Sequence, residues 1–490
     1  MDRLAFINKV MTKLAKTPEK EVERFLMAFI KGTPFNNKTY SVGGFVRDEL
    51  LGKPSKDLDI VVEMEKGAEK LTKLIHEKYP TETSSPHNLG KDYPIWHLSF
   101  KKDIKVGEET FKTNEAEVDF ADTQKESFPD PKTRQRVTQP GNLEEDIARR
   151  DFTVNMLLRD LSSGEIKDLT GVSKEDLEKG VLKGHPRVSL DKTFSDDPLR
   201  MIRLIRFQAK YGWEIPLEVL KTVKRNADRI KIISSERIRD ELVKIMQIGK
   251  LAKAIKLMKA VGLLKHVMPE IQDLHGVKQP EIYHAEGDVL KHTLKVLENA
   301  KPTVEAQLAA LFHDVGKKST QQFIGEKIQF LGHEDVSAEI AEAIMRNLKF
   351  DNKTIEKVKT IVKNHMRPHD ADVWGSKAVR KFVRDLGEDL EDVLHMAEID
   401  TLGSWTTDKK PQKSIVPDLR EKIKKVLEVP ISRKPILSGL EVMDFLGIKT
   451  GPEVGKALKL VIDIEDDLAS EGKKPTKEEI KGILKEKWKH

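Results

Sequence analysis

The fold is decided by the stretch YSVGGFVRDELLGKPSKDLDIVV, which occupies residues 40–62. Its first three residues predict the end of a strand, and Phe45–Leu51 predicts a short helix. Between them, Gly43 and Gly44 predict a turn whose backbone can approach a ligand closely. A turn that leads into a helix leaves backbone N–H groups free, so this segment could hold a phosphate group.

Two carboxylates follow in a second predicted strand, Asp57–Val62. Because residues two apart lie on one face of a strand, Asp57 and Asp59 would point the same way and would need a cation between them. Hard oxygen ligands suit Mg²⁺, and two such ions bridged by carboxylates serve phosphoryl or nucleotidyl transfer. A surface strand with a solvated acidic edge is the alternative interpretation.

The composition limits the class of protein. A length of 490 residues indicates three or four domains. The absence of cysteine excludes disulfides and thiolate metal sites and fits a reducing, cytoplasmic compartment. The N-terminus lacks the apolar core of a signal peptide, and no apolar run reaches membrane-spanning length. A net charge of +6 permits nucleic-acid binding without demonstrating it, and nothing indicates an oligomeric state.

The pattern of apolar residues changes along the chain. Residues 1–30 predict two helices, and residues 40–170 alternate short strands, among them Val154–Leu158, with helices and loops. From about residue 190 onward the pattern is helical almost throughout. We therefore predict an α+β protein with a small mixed sheet in its head. The predicted domains are a head over 1–185, a helical neck over 186–274, a further helical domain over 275–405 and a helical tail over 406–490.

Two further motifs could act on a nucleotide. In ARRDFTVN, residues 148–155, two arginines precede Asp151 and could hold a ribose hydroxyl together with phosphates. In DDPLRMIRLIRF, residues 196–207, Arg200, Arg203 and Arg206 repeat along one helix face. Like charges at that spacing repel, so the row is expected to face an anion such as a triphosphate or an RNA backbone. A solvated helix face is the alternative.

Asp197 and Arg200 lie three residues apart on this helix and could reach one ligand together. The carboxylate only accepts hydrogen bonds and the guanidinium only donates them. Cytosine and adenine each offer an exocyclic amine beside a ring-nitrogen acceptor, which matches the pair. Uracil and guanine present the reverse order and would leave two buried polar groups unpaired, at about 1–3 kcal/mol each. The pair is therefore expected to select C and A.

Together these motifs resemble those of the class II tRNA nucleotidyltransferases, or CCA-adding enzymes, and of the similar bacterial poly(A) polymerases. VGGFVRD with KDLDIVV resembles the family's metal motif, EEDIARRDFTVN its ribose motif, DDPLRMIRLIRF its amino-acid template, and Ser235–Glu241 its helix-stabilising motif. The resemblance implies a polymerase β-like head that adds C, C and A to the 3′ end of tRNA from CTP and ATP, with Mg²⁺. Poly(A) synthesis and CC-only or A-only addition are alternatives.

The resemblance also implies roles for individual residues. Asp57 and Asp59 would be catalytic and would carry the metals. The remaining residues would hold the triphosphate and the nucleotide or read its base. In that order they are Gly43, Gly44 and Arg47, supported by Arg203 and Arg206, then Arg150, Asp151 and Asn155, and finally Asp197 and Arg200.

A second group of motifs lies further along the chain and resembles the HD phosphohydrolase domain. Imidazoles and carboxylates on separate helices could converge on a divalent transition metal such as Ni²⁺ or Mn²⁺. The implied activity is phosphoester hydrolysis, for example of a 2′,3′-cyclic phosphate. An HD phosphohydrolase with a non-catalytic nucleotide-binding head is the alternative from a different class. The implied ligands are His292, His313, Asp314 and Asp400, and His333 and His365 could complete a two-metal set.

Two segments have less specific patterns. Ser127–Val137 is interrupted by proline, is highly charged and includes Asp130, Arg134 and Arg136, so it predicts a mobile loop. It resembles the loop with which CCA-adding enzymes reshape the pocket from C to A. The lysine-rich tail from Leu437 resembles the family's C-terminal tRNA-binding region, and a plain helical cap is equally compatible.

Overall fold

The structure is a computed structural model. It describes residues 17–90, 93–128, 137–282, 284–285, 287–325, 327–408, 410–428, 431 and 434–488. Contacts divide the chain into two units, one within Met1–Arg237 and Ala260–His266 and the other within Ile238–Lys259 and Val267–His490. The four-part division inferred from the sequence stays a prediction.

A mixed sheet forms the centre of the first unit. The strands that the structure describes there are β1 (Thr39–Val42), β2 (Leu58–Val62), β3 (His87–Asn88), β4 (Ile95–Ser99), β5 (Ile104–Val106), β6 (Glu109–Phe111), β7 (Glu117–Asp122), β8 (Gln124–Ser127), β9 (Val137–Pro140), β10 (Leu158–Asp160) and β11 (Ile166–Lys167). Seven of them form one sheet in the order β11-β10-β1-β2-β7-β4-β3. Because β2 and β7 pair in parallel while β1 pairs antiparallel with β2 and β10, the predicted mixed sheet is confirmed.

Helices surround this sheet. Those described in the first unit are α1 (Pro18–Phe29), α2 (Gly44–Leu50), α3 (Gly67–Lys78), α4 (Leu143–Ala148), α5 (Ser173–Lys179), α6 (Leu190–Asp196), α7 (Leu199–Tyr211) and α8 (Leu217–Asn226). Helix α1 is the second of the two helices predicted near the N-terminus, and the first falls outside the described residues. Thr17 caps α1 by accepting a hydrogen bond from the backbone of Lys20, and α7 ends at Gly212, which is in the left-handed region.

The two faces of the sheet differ in polarity. Leu58 and Ile60 of β2 and Phe120 of β7 are buried in the main core, together with Phe25 of α1. Asp59 lies between the two apolar residues of β2 and therefore points to the opposite face, because successive strand residues alternate. A core on one face thus leaves acidic side chains available on the other.

One predicted strand, Val154–Leu158, is wrong over most of its length. Thr153–Asn155 forms a 3₁₀ helix, and β10 begins at Leu158. The backbone N–H of Thr153 donates to Lys183, and that of Met156 donates back to Thr153. These bonds are incompatible with a sheet ladder, and pairing with Val42 of β1 starts only at Leu158.

From residue 235 onward the described chain is mainly helical. The helices are α9 (Ser235–Met246), α10 (Leu251–Ala260), α11 (Leu264–Val267), α12 (Pro269–Gln272), α13 (Val289–Asn299), α14 (Val304–Phe312), α15 (Lys317–Thr320), α16 (His333–Asn347), α17 (Asn352–Asn364), α18 (Ser376–Leu386), α19 (Leu390–Gly403), α20 (Val416–Val426), α21 (Gly439–Leu446), α22 (Pro452–Ser470) and α23 (Lys477–Lys487). A hairpin of β12 (Gln322–Ile324) and β13 (Lys327–Gln329) interrupts them. None of the helices described is both long and apolar enough to cross a bilayer.

Candidate functional site

The turn between β1 and α2 approaches two charged side chains. Gly43 has φ +70°, in the left-handed region that favours glycine. A Cβ atom at Gly43 would lie 3.2 Å from Nη1 of Arg150 and 3.9 Å from Oδ2 of Asp59. The turn therefore brings its backbone next to one cation and one carboxylate, as a phosphate site between a metal and an arginine would require.

Three carboxylates meet at the edge of the sheet. Asp57 immediately precedes β2, Asp59 lies within it, and Asp119 of β7 pairs in register with Asp59. Burial raises the pKa of Asp59 to about 6, Arg150 opposes this rise, and the charges of Asp119 and Asp57 add to it. The three groups are therefore close enough to repel one another, and this set of oxygen ligands fits a hard divalent cation such as Mg²⁺.

Asp119 is absent from the residues predicted from the sequence. Its strand was predicted, and the alternation of Val118, Asp119 and Phe120 indicated that Asp119 leaves the core face. The missing information was the order of strands, because β7 lies beside β2 although about sixty residues separate them.

A cleft of about 370 Å³ opens over these carboxylates. Its lining includes Asp59, Asp119, Tyr93, Arg149 and Arg150. Both arginines are anchored from behind by the buried Asp146, which accepts from Nη2 of Arg149 at 2.7 Å and from Nη2 of Arg150 at 2.9 Å. The cleft thus combines acidic groups that suit a metal with arginines that suit a phosphate.

Arg150 keeps a capacity to bind an anion. Its Nε is buried and has no hydrogen-bond partner among the residues described here. Burial tends to raise the pKa of Asp146, but Arg150 and Arg149 lower it by more, so the carboxylate stays ionised and holds both guanidinium groups. Buried donors normally have partners, so an unpaired one fits a site for a ligand with oxygen acceptors.

A hydrogen-bonded chain joins four of the predicted nucleotide-binding residues. Nη1 of Arg47 donates to Oδ1 of Asn155 at 2.5 Å, and Nδ2 of Asn155 donates to Asp151 at 2.8 Å. Arg203 donates to the other oxygen of Asp151 from Nε at 2.8 Å and from Nη2 at 2.6 Å. Asp151 therefore pairs with Arg203 across 52 positions and not with the arginines beside it in sequence.

The buried carboxylate at the centre of this chain is strongly ionised. Burial tends to raise the pKa of Asp151, but the charge of Arg203, hydrogen bonds from Asn155 and Arg203, and the N–H of Phe152 lower it to about 2. Arg47 also packs against the rings of Phe207 and Tyr211, at 5.3 and 5.5 Å from their centres. The network rigidly connects α2 with α7, which carry opposite sides of the predicted nucleotide site.

The predicted base-reading pair begins helix α7. Asp197 accepts from Nη2 of Arg237 at 2.9 Å and from Nη1 at 3.3 Å, in a paired arrangement. Arg200 donates to the backbone oxygen of Thr193 at 3.0 Å and to that of Arg149. Both side chains are thus held in defined orientations, which a reader of base edges requires.

The row of arginines on α7 has partners within the protein. Arg200 is held by backbone oxygens and Arg203 by Asp151, while the guanidinium of Arg206 lies 4.6 Å from the centre of the Phe207 ring. The apolar side chains Met201, Leu204 and Ile205 are buried, so the predicted two-faced helix is found. Part of the positive charge that was expected to face an anion is balanced internally.

A second candidate site lies in the other unit. The predicted histidines and aspartates come from α13, the end of α14, α16, the end of α17 and α19. Nε2 of His292 lies 2.9 Å from Oδ1 of Asp400 and 3.2 Å from Nε2 of His313. Asp314 lies 3.2 Å from His313 through Oδ2 and 3.3 Å from Nε2 of His333 through Oδ1. All six predicted residues converge, His365 through ring contacts with His313 and His333.

Asp314 is shared by two groups that could each hold a metal ion. One consists of His292, His313 and Asp314, the other of Asp314, His333 and His365, and the ligand atoms of each lie within 4.8 Å of one another. The buried Nε2 of His365 has no hydrogen-bond partner among the described residues. Burial, and then the charge of His313, lowers the pKa of His365 to about 3, which keeps it in the neutral form that binds metals.

Two neighbours of this cluster were not predicted. Nζ of Lys317 lies 2.7 Å from Asp314, and Nε2 of His369 lies 3.3 Å from Oδ2 of Asp400. Lys317 stood in the quoted His-Asp-x-Gly-Lys motif without a role, and His369 lies one helical turn beyond His365, a spacing that could have indicated it.

Part of the prediction cannot be compared with the structure. The predicted loop residues Asp130, Arg134 and Arg136 lie outside the described residues.

Comparisons with known proteins follow the same order along the chain. A family model for the poly(A) polymerase head domain matches residues 39–183. A second, described as a probable RNA and SrmB-binding site of polymerase A, matches 212–274, and one for the HD domain matches 289–428. The three models thus cover the carboxylate edge, part of the helical region after it and the histidine cluster.

Whole relatives match over most of the chain. A protein of Thermus thermophilus named CC-adding tRNA nucleotidyltransferase is 31% identical over 458 residues, covering 91% of this chain and 92% of its own length. A protein of Neisseria gonorrhoeae named multifunctional CCA protein is 29% identical over 385 residues, covering 76% of this chain and 86% of its own.

Solved structures share the fold. A Bacillus stearothermophilus CCA-adding enzyme in complex with CTP matches with a TM-score of 0.65 and 21% identity, over 97% of this chain and 98% of the other. A Thermotoga maritima CCA-adding enzyme complexed with tRNA matches with a TM-score of 0.60 and 18% identity, over 98% of each chain.

Proposed function

Because the chain belongs to the tRNA nucleotidyltransferase family, we propose that it adds C, C and A to the 3′ end of tRNA, with CTP and ATP as substrates. The observation that carries this proposal is the meeting of Asp57, Asp59 and Asp119 beside the Gly43 turn and the guanidinium of Arg150. Carboxylates for a cation and donors for phosphates are the two requirements of nucleotidyl transfer.

The residues of the head divide the work of the reaction. Asp57, Asp59 and Asp119 would hold two Mg²⁺ ions, whose chemistry is to activate the RNA 3′ hydroxyl and to neutralise the charge on the α-phosphate. The Gly43 turn and Arg150 would bind the triphosphate so that the 3′ oxygen attacks the α-phosphorus in line with the departing pyrophosphate. Bond formation to the RNA and release of pyrophosphate then balance.

The base would be chosen by side chains and not by a nucleic-acid template. Asp197 would accept from the exocyclic amine of C or A, and Arg200 would donate to the neighbouring ring nitrogen. Arg237 supports this role because it holds the Asp197 carboxylate through two contacts. One pair of side chains could therefore serve both nucleotides.

Replacing Asp197 or Arg200 by alanine is expected to weaken discrimination. We expect CTP and ATP to lose about 10- to 100-fold of their advantage over UTP and GTP, since about 1–3 kcal/mol is lost per unpaired polar group. Incorporation of each nucleotide into tRNA lacking its terminus measures this ratio. Asp191→Ala is the control, because Asp191 is exposed and contacts only Arg225 and Asn226 in printed hydrogen bonds. An unchanged ranking of the four nucleotides in both variants would remove the base-reading role.

CC-only addition is the second candidate function, because the relative that matches 91% of the chain carries that name. We favour complete CCA addition on the segment Ser127–Val137, which resembles the loop that reshapes the pocket from C to A. Residues 129–136 of this segment lie outside the described part of the chain, so the argument rests on its sequence.

Shortening residues 129–136 is expected to spare addition of C and to block the final A. One pocket that accepts two bases of different size needs a movable element, and its removal should leave the first state intact. Gel analysis of products from CTP alone and from CTP with ATP measures the effect, with a glycine–serine replacement of equal length as the control for loop length. A shortened enzyme that completes CCA would contradict this prediction.

For the second unit we propose a metal-dependent phosphohydrolase. Its support is the pair of ligand groups that share Asp314, together with the unpaired Nε2 of His365. His292, His313, Asp314, Asp400, His333 and His365 would hold divalent transition metals such as Ni²⁺ or Mn²⁺, which supply a hydroxide for attack on phosphorus. A 2′,3′-cyclic phosphate on damaged tRNA is the substrate that suits an enzyme whose other site needs a free 3′ hydroxyl.

A further inference from the structure

A histidine lies directly behind the third carboxylate of the head. His97 of β4 is the Cα partner of Asp119 in the antiparallel pair of β4 and β7, and Asp119 is in turn the partner of Asp59. Opposite residues of paired strands point to the same face, so Asp59, Asp119 and His97 form one row across three strands. Nδ1 of His97 lies 2.8 Å from Oδ1 of Asp119.

The geometry fixes which nitrogen of His97 carries a proton. A carboxylate only accepts hydrogen bonds, so Nδ1 must be the donor to Asp119. The other nitrogen, Nε2, lies 3.2 Å from Oγ of Ser99, whose hydroxyl can complete the pair by donating to it. The ring is therefore held at both nitrogens, with its plane and its tautomer defined.

The two sides of Asp119 differ in exposure. The side chain of His97 is 16% exposed and that of Asp119 is 44% exposed, so the histidine contacts the carboxylate from the protein side. Asp119 and Asp59 line the open cleft. Oδ1 of Asp119 is thus engaged by the histidine while the carboxylate faces the place where a cation would be shared with Asp59.

We propose that His97 is a positioning residue that orients Asp119 for the divalent cation of the head. The proposal rests on the proposed function, in which Asp119 is a metal ligand of nucleotidyl transfer. Carboxylates that bind metals are commonly held by hydrogen bonds from a second group, and removing such a partner typically costs about 10- to 100-fold in metal affinity or activity. An ordinary cross-strand contact would instead affect stability alone.

Substitutions at His97 can separate these interpretations. In His97→Asn the amide nitrogen occupies the place of Nδ1 and can still donate to Asp119, whereas in His97→Gln the donor lies further out and in His97→Leu it is lost. His87→Leu is the matched control, because the His87 ring packs against His97 at 5.1 Å between ring centres without a printed contact to Asp119. Thermal unfolding verifies that each variant is folded.

The first measurement is the rate of CMP addition to tRNA lacking its terminus, over a series of Mg²⁺ concentrations. We expect His97→Leu and His97→Gln to lower kcat about 10- to 100-fold and to raise the Mg²⁺ concentration for half-maximal rate, with KM for CTP nearly unchanged. His97→Asn should recover to within about threefold of the parent, and His87→Leu should equal it. If Asn falls as far as Leu, or if Leu keeps the parent rate, the proposal is overturned.

The second measurement does not depend on catalysis. Fe²⁺ bound in place of Mg²⁺ cleaves the backbone near its site in the presence of ascorbate and peroxide, so fragments that end near Asp59 and Asp119 report the head separately from the histidine cluster. We expect head cleavage to weaken in His97→Leu and to persist in His97→Asn. Unchanged head cleavage in all variants overturns the role of His97, whereas full activity of Asp119→Ala would instead remove the proposed function of Asp119.

Discussion

Asp59→Ala is expected to abolish nucleotide addition, with a loss of at least about 1,000-fold in rate, and Asp57→Ala and Asp119→Ala are expected to behave alike. Each carboxylate would hold the cation that activates the 3′ hydroxyl, and several kcal/mol of transition-state stabilisation correspond to a loss of that size. Incorporation of labelled CMP into tRNA lacking its terminus is the measurement.

The same variants should remain folded. Burial and the neighbouring Asp119 and Asp57 charges raise the pKa of Asp59, which means that its ionised form is disfavoured in the folded protein. Removing one charge from this cluster therefore relieves repulsion and should not lower the melting temperature. Glu117→Ala is the matched control, since Glu117 is exposed on the same strand two residues before Asp119. Near-parent addition by Asp57→Ala and Asp59→Ala would rule out the carboxylate site.

Asp314→Ala is expected to remove metal-dependent phosphoester hydrolysis while leaving CCA addition intact. Asp314 belongs to both groups of metal ligands in the second unit, so its loss should disable each of them, with a fall of at least about 1,000-fold. None of the residues of the head site belongs to this unit. Cleavage of a 2′,3′-cyclic phosphate in the presence of Ni²⁺, Mn²⁺ or Co²⁺ is the activity to measure, together with the metal content of the purified protein.

A matched variant tests whether the effect belongs to the cluster. His395 lies on α19 with Asp400, but its Nε2 accepts from the backbone of Lys301 and it is outside both ligand groups. We expect His395→Ala to retain metal and hydrolysis. Equal hydrolysis by Asp314→Ala and the parent protein with all three metals would mean that the activity arises elsewhere.

The parts of the head that the sequence predicted correctly are those set by local interactions. The turn at Gly43 needs a left-handed backbone, and the alternation within β2 separates Asp59 from the apolar core, so both can be inferred from short stretches. The strand predicted from Val154 failed because hydrogen bonds to Lys183, a residue distant in sequence, hold that segment in a 3₁₀ turn.

Partners that are distant in sequence account for what the sequence could not provide. The pairing of Asp151 with Arg203 and the pairing of Asp119 with Asp59 depend on how helices and strands pack, and no local pattern specifies either. The histidine cluster was identified from its motifs, but the sharing of Asp314 between two ligand groups emerges only when five helices converge.

The measurement that tests the central claim most directly is extension of tRNA lacking its three terminal nucleotides by the unmodified protein. The RNA is supplied with CTP alone, ATP alone or both, and the products are sequenced. We predict two added C residues with CTP, no addition with ATP and a complete CCA end with both. No extension with CTP under any condition, or processive addition of A from ATP alone, would contradict the account.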